Sequence, residues 1–147
     1  MTDTASFARV LRLVWLAVTS GATLVMGVLG YLAASGEPPQ PDLASTLFYG
    51  VAVLSMVATA VAFWLIRQME TRLLNAGSNA NARGIVQGFG IAALAAAETP
   101  AILGAIAAYL TGDLLALAFG VTMYAFAALT WPSDGRVAYW LGMHEAR

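Results

Sequence analysis

The chain has 147 residues, of which 60% are apolar and only 10% charged, with seven Arg, no Lys and a net charge of −1. A soluble domain carries about a quarter charged residues, and so short a chain cannot hide this much apolar surface in one soluble core. Composition therefore points to a membrane protein, and near-neutral charge excludes the basic stripe that a nucleic-acid partner needs.

Charge-free runs long enough to cross a bilayer, about 20 residues each, set the elements. The first predicted span covers residues 13–36, preceded by Arg9 and Arg12. These flanks also fit a signal peptide, but the apolar run is too long for a typical one. A Pro-rich turn follows (Glu37, Pro38, Pro39, Pro41, Asp42), because proline cannot continue a helix. The second span covers 43–66. A polar linker at 67–83 carries Arg67, Arg72 and Arg83, with the turn formers Gly77, Ser78 and Asn79 inside it. The third span covers 84–111 and is broken by a single charge, Glu98. Gly112 is a natural helix C′ residue, and the fourth span covers 114–132. Residues 134–147, with Tyr139 and Trp140, form an interfacial tail.

The expected fold is an all-α, integral membrane four-helix bundle in one domain, residues 1–147. Arginine placement orients it. All seven Arg fall on the side of the termini and the 67–83 linker, while the other two loops hold only Glu37, Asp42 and Asp113. The positive-inside rule then puts both termini in the cytoplasm and the protein in the inner membrane as a multi-pass chain. Trp15, Trp64, Trp131 and Trp140 fall at the cytoplasmic ends, as interfacial aromatics do. A faint duplication aligns 24–29 with 101–106 and 49–51 with 119–121. It would make two tandem helical hairpins.

The inventory excludes most catalytic chemistry. There is no Cys, and the single His, His144, stands near the C-terminus. Disulfides, thiolate metal sites, Cys nucleophiles and bis-His haem are ruled out for this chain. No catalytic residue set, metal site or cofactor is expected. Quinone, pigment or lipid binding would leave no motif and stays open.

Glu98 is the costly residue. Arg83 and Asp113 bracket it at about 22 Å on either side, so it sits mid-membrane. A carboxylate there costs roughly 2.5–3.5 kcal/mol on insertion scales. Desolvation disfavours its charged form, so the expected state is protonated or cation-bound. Hydroxyls at the same depth, Thr23, Ser55, Thr122 and Tyr124, complete a candidate ion-binding constellation. The competing reading is a neutral Glu98 that holds helices together. Pro100 predicts a kink, with the carbonyl of Ala96 left without its donor. Gln87 shares a stripe with Glu98, eleven residues on. Gly84, Gly88, Ala92 and Gly104 belong to a small-residue row for close helix packing, either on another span or on another copy.

The segment 90–104, with Glu98, Ala101, Ile102 and Gly104, resembles the carboxylate helix of the rotary ATP synthase proteolipid, subunit c. The loop Arg67-Gln-Met-Glu70 is similar to that family's polar loop. The resemblance implies that Glu98 binds and releases H⁺ or Na⁺. The second span departs from the family in lacking its glycine ladder, and the loop lacks its proline. The run from Glu98 to Tyr109-Leu-Thr-Gly-Asp113 is also like that of small bacterial four-helix membrane proteins. The partners expected are the lipid bilayer and either further copies or a larger membrane complex, in which the chain serves as a non-enzymatic subunit.

Overall fold

The computed structural model describes residues 4–143, so His144 and Arg147 lie outside the described residues. The described chain is helical, without strands. Helix α1 is Thr4–Ser35, α2 is Ala44–Leu73, α3 is Asn79–Thr111, α4 is Gly120–Leu129 and α5 is Asp134–Gly142. Two 3₁₀ segments, Pro41–Leu43 and Leu114–Phe119, precede α2 and α4. Helices α1, α2 and α3 are each long and apolar enough to cross a membrane, and a fourth crossing is available to the chain from Leu114 if the bent pair that includes α5 counts as one span.

Helix α3 is the hub. It packs on α1, on α2, on the 3₁₀ segment and on α4, whereas α1 and α2 scarcely touch each other. The reason is in its residues: Ala93, Ala97, Ala101, Ala105 and Ala108 give α3 a smooth buried face that neighbours approach closely. Helices α1 and α2 turn large side chains outward instead, including Leu13, Leu24, Val53 and Met56, each more than half exposed. Such continuous apolar faces are a liability in water and ordinary in lipid. The first two helices therefore share almost no interface with each other.

The turns follow from local chemistry. Ser78 caps α3 by accepting from the Asn81 N–H at 3.2 Å. Gly112 ends that helix at φ 75°, the left-handed conformation predicted for it. The Pro-rich loop is tied to the same end by Gln40 N–H donating to Leu110 O at 2.8 Å.

Three expectations change. The 67–83 linker is mostly helix: α2 continues to Leu73 and α3 starts at Asn79. Its Arg, Gln, Met and Leu are good helix formers, and Met69 and Leu73 gain burial by staying helical. The predicted fourth span is not one α-helix. It runs as 3₁₀ through Phe119, then α to Leu129, then bends by 68° into α5. The 3₁₀ part lies directly against Gly104, where a Cβ would collide with the carbonyl of Ala116. Trp15 is a core residue, 1% exposed, and its ring sits 2.8 Å from where a Cβ on Gly90 would be.

Helix α5 closes the Arg-rich end. Val137, Trp140 and Leu141 are buried in the same cluster as Ala8, Leu11 and Trp15. Arg12 pairs with Asp134. Arg136 donates to the carbonyls of Leu129 and Trp131, the open C-terminal end of α4. Arg72 stacks on Phe89 and Arg83 on Phe7, at 5.4 and 5.7 Å from the ring centroids.

Candidate functional site

Glu98 lies near the middle of α3 and is half-buried. One turn to either side of it Leu94 and Ala101 are buried, while Ala95, three residues before it, is exposed. Oε1 is enclosed and has no hydrogen-bond partner, while the second oxygen is not shut in this way. The carboxyl thus lies at the edge of α3's packed face, beside its open one.

The four hydroxyls predicted around it divide into two separate groups. Thr23 Oγ1 and Tyr124 Oη share a hydrogen bond of 2.6 Å between α1 and α4, and Thr23 also donates to Thr19 O at 2.7 Å. Thr122 Oγ1 donates to Phe119 O at 2.7 Å. Ser55 is buried on α2, and its Oγ has no partner. Ser55 and Thr122 line one groove between α2 and the chain entering α4. None of the four bonds to Glu98. Thr99 donates along its own helix to Ala95 O at 3.5 Å, a long contact.

Helix α3 runs without interruption through Pro100, whose ring is fully buried. The small-residue row splits into two halves. Gly104 is packed against Ala116 and Phe119, but Gly84, Gly88 and Ala92 are exposed, and a Cβ on either glycine would meet nothing within 4 Å. Ala95 and Gln87 are exposed as well. Gly88, Ala92 and Ala95 are spaced to share one stripe, and Glu98 follows Ala95 by three residues, so it borders that stripe.

Sequence reasoning missed Thr59, Phe63 and Phe119, which line the groove with Ser55. The spacing Ser55-x₃-Thr59 was visible as a shared helix face, but its neighbour was not. Among the described residues no group of three His, Asp or Glu comes together as a metal site. No family model matches the chain, and no curated protein or solved structure matches it either.

Proposed function

We propose that the chain is a non-catalytic, four-span subunit of the inner membrane that joins further copies or a larger membrane complex through the open face of α3. Glu98 acts there as a neutral hydrogen-bonding group. The fourth span is Leu114–Leu129. With six 3₁₀ and ten α residues it reaches about 27 Å, close to the roughly 30 Å hydrocarbon core. Helix α5 then lies at the cytoplasmic boundary, with the arginines on that side.

The observation that carries the reading is Glu98 itself: a half-buried carboxyl whose enclosed Oε1 has no hydrogen-bond partner among the described residues. Of the four hydroxyls, Thr23, Tyr124 and Thr122 bond elsewhere and Ser55 lies on the groove beside α2, so none of them pairs with Glu98. Beside it, Gly88, Ala92 and Ala95 form a bare stripe. In lipid, helices associate by close packing of small residues and by interhelical hydrogen bonds. An open small-residue stripe bordered by one unpaired carboxyl supplies both.

A proton-carrying role, as the proteolipid resemblance implies, makes the opposite demand on the same residue. A carrier needs a group that ionises, whereas a packing residue needs only a neutral hydrogen-bonding one. Glu98→Gln separates them. Under our reading Gln keeps the assembly and Leu loses it, and a carrier fails with either.

A further inference from the structure

Helix α3 turns one complete face away from its own chain. Gly88, Ala92, Ala95, Thr99, Ile102 and Ile106 follow one another at alternating steps of four and three residues, and none of them is buried. That spacing is the seam by which one helix packs along another. The buried residues Ala93, Ala97, Pro100 and Gly104 lie on the opposite side of the helix. A Cβ on Gly88 would meet nothing within 4 Å.

Two polar groups stand side by side at the middle of this face. Thr99 lies on the seam, and its hydroxyl donates a long contact of 3.5 Å to Ala95 O. As the donor there it keeps its lone pairs free to accept. Glu98 precedes it at the edge of the seam. Its Oε1 is enclosed, but Oε2 is not, so Oε2 is the oxygen that can reach a neighbour. From residue 84 to residue 109 the helix has no other charged side chain.

These groups select the occupant. Copies of one chain enter the membrane in one orientation, so a two-fold axis along the membrane normal sets each residue of α3 against its own depth in the other copy. In such a pair a residue at the edge of the seam faces the seam residue of its partner. Glu98 of each copy then meets Thr99 of the other, the neutral carboxyl donating through Oε2 and the hydroxyl accepting. Symmetry makes the bond twice. A different partner would have to bring a smooth strip and an acceptor at this depth, and a second copy already has both.

We propose that the partner at this face is a second copy of the chain, in a parallel two-fold dimer of α3 helices tied by reciprocal Glu98–Thr99 hydrogen bonds. The inference rests on the neutral, hydrogen-bonding Glu98 proposed above and adds the partner and the acceptor.

The chain has no Cys, so single cysteines report the contact without background. In native membranes under mild oxidation, Ala95→Cys and Ile106→Cys should form disulfide-linked dimers. Leu24→Cys and Val53→Cys, on the exposed faces of α1 and α2, should not. The dissociation constant of the dimer, measured by sedimentation in mild detergent, should rise about eightfold in Thr99→Val, the loss of two membrane hydrogen bonds of average strength. It should stay unchanged in Thr99→Ser and Glu98→Gln. Ala95→Leu, which adds bulk at an exposed position, should abolish the dimer. No crosslinking at 95 and 106, or equal crosslinking at all four positions, overturns the proposal. If Glu98→Leu still dissolves a larger assembly in that case, the face binds a different membrane protein and the role of Glu98 stands. Crosslinks at 95 and 106 alone, with a dissociation constant that neither Thr99→Val nor Glu98→Leu alters, overturn the pairing and the role of Glu98 together.

Discussion

The carbonyl of Ala116 occupies the space that a side chain on residue 104 would need. Gly104 therefore lets the chain entering α4 lie directly against α3, and Phe119, 3.3 Å from the same point, is drawn in with it. The contact is backbone on backbone, so neither partner can yield by changing a rotamer. Gly104→Ala should destabilise the fold by about 1–3 kcal/mol, the usual range for overpacking, and Gly104→Val by more. Denaturant titration of the helical signal in detergent checks it. Gly27, with nothing within 4 Å, supplies the control: Gly27→Ala should be neutral or mildly stabilising.

Thr23 and Tyr124 join α1 to α4 through one hydrogen bond of 2.6 Å. Thr23 keeps a second partner in Thr19 O, so the loss of the tyrosine hydroxyl leaves it satisfied. Tyr124→Phe should cost only about 0.6 kcal/mol, the average for such bonds in membranes. A double-mutant cycle with Thr23→Val should return a coupling of that size.

Arg12 and Asp134 tie the start of α1 to the start of α5, with side chains 33% and 65% exposed. Pairs this open to solvent are worth less than about 1 kcal/mol and are screened by salt. Asp134→Asn should lower stability slightly in low salt and not at all in high salt. Arg136→Ala should cost more, because it uncovers the carbonyls that end α4.

Ser55→Ala removes a buried hydroxyl that has no partner. It should therefore be neutral or stabilising in the same denaturant titration. A marked loss of stability would mean that the hydroxyl is paired in the folded chain.

Position along the helices was legible for the two pairs that meet, Thr23 with Tyr124 and Ser55 with Thr122, and direction around each helix was not. Counting from flanking charges placed Thr23, Ser55, Glu98, Thr122 and Tyr124 at a common level. Which of them meet depends on how each helix is turned, and that is fixed by packing on α3. Thr23 turned to Tyr124 and Ser55 to the Thr122 groove, while Glu98 was left at an open edge. The first three helices were legible because long charge-free runs admit few other structures. The 3₁₀ entry to α4 was not; it packs on Gly104, ten residues upstream of Leu114, a tertiary contact that local composition does not announce. The helical linker was hidden for a simpler reason: polar composition was read as loop, although Met69 and Leu73 kept an apolar face through it.

The proposed role of Glu98 is that of a neutral hydrogen-bonding group at a helix–helix contact. The most direct measurement is the mass of the native assembly in mild detergent for the wild type, Glu98→Gln and Glu98→Leu. An assembly larger than the 15.3 kDa chain is expected, surviving in Gln and lost in Leu. A chain that is monomeric throughout, or an assembly that Gln disrupts as fully as Leu, would contradict it.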